Sequence, residues 1–307
     1  MASTQDLKRR VRSISNTRKL TRAMELVASA RLRRAQQRIE AMRPYADRML
    51  ELMAGTAQAA GAVRLPLLER RETVATVGIV PVTGDRGLAG AFNAQVLRRA
   101  VAELRELQAA GQQVTFFTSG KKAQSTIRFR RLPLSASWTG FSDRPAYSDA
   151  QAVAHALAEA YASEEVDRVV VVYNAFVSPL VQSVTVSELL PISPELLEAP
   201  GGGAGPDDDG HGATSERSAE HLDFFFEPEP RQILERLLPV YVETELYRAL
   251  LESAASEQGA RMTAMRNASK AAGELIDSLT LAMNRARQAE ITQEILEVVA
   301  GADALTQ

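Results

Sequence analysis

The glycine-rich segment 83–90 is the part of this sequence that comes nearest to a known chemical motif. It reads Thr-Gly-Asp-Arg-Gly-Leu-Ala-Gly and stands between a predicted strand and a predicted helix, where backbone N–H groups can bind a phosphate. A dinucleotide site requires Gly-x-Gly-x-x-Gly and an acidic residue at the end of the next strand. Here the glycines are three residues apart, and the next strand ends in Thr118-Ser119-Gly120 without a carboxylate. The pattern therefore favours a tight strand-to-helix turn over nucleotide binding.

Other candidates for catalysis or metal binding are weaker. Gly120-Lys121-Lys122 does not complete a Walker phosphate loop, because position 122 is Lys rather than Ser or Thr. The sequence has no Gly-x-Ser-x-Gly and no cysteine, which excludes disulfides and thiolate metal sites. Of the three histidines, two lie in or beside a low-complexity segment: His155 stands apart from His211 and His221. We therefore expect no catalytic residue, no cofactor and no metal.

The elements that would carry any site begin with a long amphipathic helix at the start of the chain. From Leu7 to Met53, fourteen positions alternate in spacing between four and three residues, and eleven of them are apolar. This is the seam of a coiled coil. The three exceptions, Arg18, Thr21 and Glu25, are consecutive in the seam, which predicts that this stretch faces something other than its partner helix.

A second seam with the same spacing runs from Leu251 to Ala286 near the other end of the chain. Two terminal helices that each need a partner, separated by a different kind of sequence, predict an antiparallel coiled coil. Pro44 is the one internal breaker of the first helix and predicts either a kink or a gentler bend there. Pro239 stands where the second helix should already be running and predicts an irregular start there.

Strands alternate with helices between the two seams. Apolar, β-branched runs predict strands at 73–82, 113–118, 166–173 and 183–190, and helices are predicted at 91–110, 121–128 and 149–162. The fold class is therefore α/β: a long antiparallel coiled coil of N- and C-terminal helices plus a Rossmann-like α/β domain. The predicted boundaries are 1–58 for the first helix, 72–228 for the α/β domain and 231–300 for the last helix.

Composition refines this division. Residues 200–220 are rich in Gly, Pro and Asp and predict a disordered acidic loop, followed by a strand at 222–226. The whole chain has a net charge of −2, yet residues 1–55 carry thirteen Lys or Arg and five Asp or Glu. The strongly basic first helix indicates an acidic partner surface. No segment has the roughly 18 apolar residues of a membrane span, so we expect a soluble protein without direct membrane insertion.

Three classes of function remain open on these grounds. One is a mechanical subunit built on the coiled coil. A second is a nucleotide-dependent enzyme on the βαβ domain, although its fingerprint is missing. A third is a basic coiled-coil scaffold or nucleic-acid binder. Tyr45 is the only aromatic residue in the first 55, which makes base stacking a poor explanation of the basic helix, and we expect no nucleic acid as a partner.

The chain resembles the gamma subunit of F-type, proton-translocating ATP synthases, the rotor of the central stalk. The resemblance covers nearly the whole length and is most specific at the two ends. It is carried by Asn-Thr-Arg-Lys-Leu-Thr-Arg-Ala-Met-Glu-Leu-Val-Ala at 16–28, Arg-Pro-Tyr at 43–45, the Asp-Arg-Gly-Leu turn at 85–88, Ser-Glu-Gln-Gly-Ala-Arg-Met at 256–262, Asn-Arg-Ala-Arg-Gln at 284–288 and Ile-Thr-Gln-Glu at 291–294.

The resemblance implies a role, partners and contact residues. The coiled coil would turn inside a hexamer of alternating alpha and beta subunits, driven by proton flow through a membrane ring, and the chain itself would be non-catalytic. The other implied partners are the epsilon subunit and the c-ring, and the implied location is the cytoplasmic side of a bacterial plasma membrane, as a peripheral subunit. Implied contacts with the beta subunits are Arg18, Met24, Glu25, Arg261 and Gln288; an apolar bearing tip would comprise Ile291, Ile295, Leu296, Val298 and Val299; and Phe226 and Glu227 would meet epsilon and the c-ring.

Overall fold

A computed structural model describes residues 4–60, 65–179, 181–193 and 229–305, with side chains to residue 299. Within these ranges the chain forms helices and strands in the order α1 (Thr4–Ala60), β1 (Thr76–Pro81), α2 (Phe92–Ala109), β2 (Gln113–Ser119), α3 (Lys121–Phe129), β3 (Leu134–Trp138), α4 (Tyr147–Ala162), β4 (Arg168–Phe176), β5 (Gln182–Leu190) and α5 (Pro230–Leu305). The predicted loop at 200–220 and the predicted strand at 222–226 lie outside the described residues.

The two terminal helices bury the seams predicted from their spacing. Every seam position of α1 except Arg18 is buried or half-buried, and so is every seam position from Leu251 to Ala286 in α5. The prediction of an irregular start at Pro239 is wrong, because α5 is one continuous helix from Pro230 to Leu305. A proline inside a helix removes one hydrogen bond. The fully buried Leu234, Leu238 and Val242 around it supply apolar burial that offsets that loss.

Five strands in the described part of the chain form one sheet in the order β3-β2-β1-β4-β5. The pairs β1–β2, β1–β4 and β2–β3 are parallel, whereas β4 and β5 are antiparallel. A parallel sheet with intervening helices confirms the predicted Rossmann-like α/β fold. The sequence does not predict strand β3, because its five residues, Leu-Ser-Ala-Ser-Trp, lack the β-branched run that marks a buried strand.

Helices cover both faces of the sheet, and alternate residues of each strand point to opposite faces. Val77 and Ile79 of β1 face a cluster that includes α2 and Ile127 of α3. Val80 faces the other cluster, which includes α4 and the first part of α5. Both faces are buried, which explains why β4 reads as the continuous apolar run Val-Val-Val-Val.

By compactness the chain divides into two units. One contains described residues of 1–30 and 261–307, and the other contains those of 31–260. The second unit holds the sheet, helices α2–α4 and the adjoining parts of α1 and α5. The first unit consists of the remaining parts of α1 and α5 alone.

Gly120 offers a test of the packing at the carboxyl edge of the sheet. Its φ is +95°, and a Cβ there would lie 2.0 Å from the carbonyl oxygen of Thr83. Gly120→Ala should therefore lower the free energy of unfolding by about 3 kcal/mol or more, through backbone strain and a clash that backbone atoms cannot relieve. Urea denaturation of the purified chain measures this loss.

Gly140→Ala is the matched control. Gly140 also has a positive φ, +103°, but a Cβ would meet no atom within 4 Å. Strain alone should cost about 1 kcal/mol. Equal losses for the two variants would show that the close approach of Gly120 to Thr83 is not a stabilising feature of the fold.

Candidate partner-binding surfaces

The turn that follows β1 occupies the amino terminus of helix α3, where an anion would otherwise bind. The backbone N–H of Lys121 donates to Asp85 Oδ1 at 2.9 Å, that of Lys122 to the Gly84 carbonyl at 3.2 Å, and that of Ala123 to Thr83 Oγ1 at 2.9 Å. Asp85 Oδ2 also accepts from the backbone of Gly140, at 2.9 Å. The first N–H groups of α3 are thus already bonded, and a carboxylate stands where a phosphate would need to be.

Helix α5 closes the crevice beside this turn. In open α/β sheets, ligands bind outside the carboxyl ends of the strands. Here the space between Val82, Thr83 and residues 250–257 of α5 is a cavity of about 10 Å³, the size of one water molecule. Glu257 is 1% exposed, and a Cβ on Gly84 would lie 2.8 Å from its carboxylate. Gly84 therefore serves the close approach of Glu257 rather than that of a nucleotide.

The motif that begins at Ser256 fixes α5 to the sheet. Ser256 Oγ donates to the carbonyl oxygen of Asn174, at the end of β4, at 3.1 Å. A Cβ on Gly259 would lie 3.1 Å from the carbonyl oxygen of Pro179, so the glycine allows the loop after β4 to approach the helix. Gln258 is 1% exposed and donates to Asp143 Oδ1 at 3.1 Å. Residues 256–259 of this motif thus dock α5 on the sheet within the second compact unit.

Asp143 joins α5 to two further parts of that unit. In addition to the bond from Gln258, its Oδ2 lies 3.1 Å from a guanidinium nitrogen of Arg31 and 3.5 Å from one of Arg86. Arg31 belongs to α1, and Arg86 belongs to the turn after β1. One carboxylate therefore connects both long helices and the Asp-Arg-Gly-Leu turn.

In the first compact unit, α1 and α5 pair in antiparallel. Glu25 contacts Arg266, Arg18 lies against Gly273, and Thr4 donates to Glu290 at 3.0 Å. Residue numbers fall along one helix as they rise along the other, which confirms the predicted antiparallel arrangement. In the described ranges, no helix combines the length and apolarity needed to cross a membrane.

The polar break in the first seam lies against α5, and the prediction that it faces something else is wrong. Glu25 is 5% exposed, and its Oε1 accepts from Arg266 Nε at 3.1 Å while its Oε2 accepts from Arg22 at 2.8 Å. Thr21 is also buried, and its hydroxyl donates to the carbonyl of Arg18. A buried acid is tolerated in a seam when it is paired. The polarity of Glu25 therefore does not show that it faces away from the partner helix.

The two arginines change the titration of this buried carboxyl. Burial by itself raises the pKa of Glu25, but the hydrogen bonds from Arg266 and Arg22 outweigh it and hold the pKa below the ordinary value. Glu25 is therefore charged at neutral pH, and its charge is used inside the helix pair. The sequence contained a signal for this contact, because Arg266 directly follows the seam residue Met265, at a position that flanks a coiled-coil interface.

The other predicted contact residues differ in how much surface they offer. Met24 is half-buried, Arg18 and Gln288 are exposed, and Arg261 is 8% exposed, so most of the surface of Arg261 is covered within the chain. Phe226 and Glu227 lie outside the described residues. The five residues of the predicted apolar tip are all exposed, by 46–72%: Ile291, Ile295, Leu296, Val298 and Val299.

Two larger cavities lie in the second unit. One of about 330 Å³ is bordered mainly by apolar residues of α4 and α5, including Leu238. The other, of about 420 Å³, contains Glu245, which lies 2.9 Å from Arg248. Burial raises the pKa of Glu245, and the arginine counters this rise only partly. Glu245 and Arg248 thus form a structural ion pair rather than an acid–base pair of catalytic residues.

Comparison with known proteins identifies the family of this chain. The family model described as ATP synthase matches residues 3–305. The ATP synthase gamma chain of Rubrobacter xylanophilus is 47% identical over 305 residues, covering 99% of each chain, and that of a Nostoc species is 45% identical over 316 residues, covering both chains completely. The protein therefore belongs to the ATP synthase gamma chain family, and its role is that of a central-stalk rotor subunit.

Solved structures agree with this assignment. A chain in the structure of the central stalk and c-ring of the Tetrahymena thermophila mitochondrial ATP synthase is 26% identical, with a TM-score of 0.56 over 81% of this chain and 99% of that one. A chain of the Euglena gracilis mitochondrial ATP synthase has a TM-score of 0.66 at 18% identity, covering 98% and 94%. At that identity, the second likeness concerns the fold alone.

The Glu25 ion pair gives a pH-dependent prediction. A carboxyl whose pKa is lowered in the folded state stabilises that state above its unfolded pKa, and the stabilisation is lost as the pH falls through the folded pKa. At pH 7, Glu25→Gln should lower the free energy of unfolding by up to about 1 kcal/mol, because both arginines stay largely in water. The difference between the variant and the original chain should disappear in acid.

Thermal unfolding followed by circular dichroism between pH 7 and pH 3 measures this difference. Glu290→Gln is the control, since Glu290 is an exposed carboxylate of the same helix pair and accepts a hydrogen bond from the hydroxyl of Thr4. A pH-independent effect of Glu25→Gln, or an equal effect of Glu290→Gln, would contradict the proposed role of the charge.

Proposed function

We propose that this chain transmits torque between a membrane ring and a catalytic head, without a catalytic site of its own. The observation that carries the proposal is the docking of α5 on the carboxyl edge of the sheet. The contacts of Ser256, Glu257 and Gln258 fill the place where an α/β enzyme would bind its ligand. The same contacts fix one long helix to the α/β domain, as a rotating part requires.

The partners follow from the family. The relatives are gamma chains of ATP synthases, and one similar chain comes from a structure of a central stalk and c-ring. We propose that alpha and beta subunits surround the helix pair of α1 and α5 in the first compact unit, and that the epsilon subunit and the c-ring contact the second compact unit. The location would be the cytoplasmic side of a bacterial plasma membrane, with the chain as a peripheral subunit.

Two surfaces of the first unit are suited to these partners. The exposed face of α1 combines cations with the exposed apolar residues Leu20, Leu26 and Val27, a composition that fits acidic loops bordered by apolar side chains. The exposed apolar residues at 291–299 of α5 would turn within an apolar sleeve, where the lack of directional bonds keeps the resistance to rotation low. Arg18, Met24 and Gln288 are the proposed side contacts, and Arg261 would contribute by the small part of its surface that is exposed.

Assembly tests the proposal directly. An affinity-tagged chain should co-purify ATPase activity together with alpha and beta subunits. The purified chain alone should hydrolyse no ATP above the level of a Gly84→Ala variant, which crowds Glu257 at the turn. ATP turnover by the isolated chain that Gly84→Ala or Arg86→Ala abolishes would favour the enzyme alternative and overturn the proposal.

Met24→Lys tests torque transmission at the side of the helix pair. Met24 precedes the buried Glu25 and has Arg22 two positions before it, so a lysine adds a cation where acidic loops of beta should pass. An added ion pair is worth up to about 1 kcal/mol when exposed, and more when desolvated, and it must break at each step. The variant should assemble normally but pump fewer protons per ATP hydrolysed in reconstituted vesicles.

Met24→Leu is the matched control for this prediction. Leucine conserves the apolar character and nearly the volume of methionine, so the ratio of protons pumped to ATP hydrolysed should stay unchanged. The same ratio for Met24→Lys in a fully assembled complex would show that this face does not meet acidic loops during rotation.

A further inference from the structure

The end of helix α3 displays an aromatic side chain among cations. Phe129 is 87% exposed, more than any other large apolar side chain in the described residues. Arg128, Arg130 and Arg131 beside it are exposed as well. Helix α3 starts after the carboxyl end of β2 and returns to the beginning of β3, so this cluster lies at the amino edge of the sheet, away from the edge that α5 closes.

Folding of the helix does not account for the cluster. Ile127 is fully buried and anchors α3 to the sheet, whereas Phe129 buries almost nothing. Arg131 has a φ of +56°, and its N–H donates to the Arg128 carbonyl in a C-terminal cap that glycine adopts without strain. Arg128 alone would provide a favourable cation in the last helical turn. The aromatic ring and the further arginines are therefore available for another purpose.

Among the residues that the structure describes, the three arginines also lack counter-charges. Within the described ranges, no carboxylate lies within 4 Å of any of their guanidinium groups. Their charge is directed to solvent. An anionic ligand could therefore approach without displacing an ion pair of the described part of the chain.

We infer that Arg128, Phe129, Arg130 and Arg131 form a contact for anionic phospholipid headgroups. Cations near a membrane surface are attracted to anionic lipids, and an aromatic ring between them can enter the boundary between headgroups and acyl chains. A stable protein interface buries about 800 Å² on each partner around a packed apolar centre. One phenylalanine surrounded by charges supplies no such centre, whereas a fluid lipid surface needs no matching shape.

This inference depends on the proposed function in one respect. A rotor subunit of a membrane complex works within reach of headgroups, and one similar chain belongs to a structure that includes a c-ring. The lipid contact itself is a property of the α/β domain. It can be measured in the chain alone, independently of assembly with alpha and beta subunits.

A local reporter provides the test. The chain contains one tryptophan, Trp138, so Phe129→Trp combined with Trp138→Phe gives a single fluorophore in the cluster. Binding of the whole chain to vesicles is not a useful readout, because the basic helix α1 would also bind anionic lipid. With phosphatidylglycerol vesicles, the emission of the new tryptophan should shift to the blue and be quenched by doxyl-labelled lipid. With phosphatidylcholine vesicles, neither change should occur.

Charge variants of the reporter chain define the site. Arg128→Gln combined with Arg130→Gln should lower the apparent partition coefficient, measured from the lipid-dependent shift, about 25-fold. Each cation contributes about fivefold. Lys121→Gln with Lys122→Gln removes the same charge at the opposite end of α3 and should change it less than twofold. All variants are compared after thermal unfolding confirms a folded chain.

Three results would overturn the inference. The first is an unshifted tryptophan in the presence of phosphatidylglycerol vesicles. The second is an equal loss of the shift in the two charge variants. The third is protection of the tryptophan from an aqueous quencher in the lipid-free assembled complex, which would assign the cluster to a protein partner. Normal co-purification with alpha and beta subunits alongside any of these results would leave the rotor function standing.

Discussion

The contact between helix α5 and the carboxyl edge of the sheet is the constraint on which the α/β domain depends. That edge is where backbone N–H groups converge and where related architectures bind phosphates. In this chain, Asp85 and Thr83 bond the amino terminus of α3, and the buried Glu257 fills the adjoining space. The N–H groups that would bind a phosphate are thus bonded within the chain, and α5 occupies the crevice where a ligand would lie.

The buried charge of Glu25 fixes the alignment of the two helices in the helix pair. Replacing a paired buried ion by an apolar side chain is often neutral or stabilising, so the Glu25 pair is poorly explained by stability alone. A buried polar residue in a largely apolar seam fixes the register of two helices, because any axial shift separates it from its partners. Glu25 bonds a neighbour on its own helix and Arg266 on the facing helix. A helix pair that must resist twisting benefits from a defined register more than from additional apolar contact.

Much of this structure could be predicted from periodicity, and the remainder could not be for physical reasons. The 4–3 spacing located both seams, because a helix buried on one face repeats its apolar residues at that spacing. Continuous runs such as Val169–Val172 located the buried strands, because both of their faces are covered. Strand β3 left no such record, since an edge strand packs on few neighbours. Asp143 gave no local signal either, because its partners Arg31, Arg86 and Gln258 come from three distant parts of the sequence. The polar positions of the first seam can be located from the sequence. That Glu25 faces α5 cannot, because its partner Arg266 lies 241 residues away in the chain.

The first compact unit combines two segments that lie on either side of the α/β domain in the sequence. This arrangement has a consequence for biosynthesis. Residues 4–30 are synthesised before the α/β domain, whereas their partner residues, 261–305, are synthesised after it. Domains generally fold as units during translation, so the α/β domain can form while this basic, amphipathic helix still lacks its partner. Throughout elongation its apolar seam is exposed to other nascent chains and to chaperones. Until residues 261–305 are synthesised, the first helix therefore lacks the partner that buries its seam.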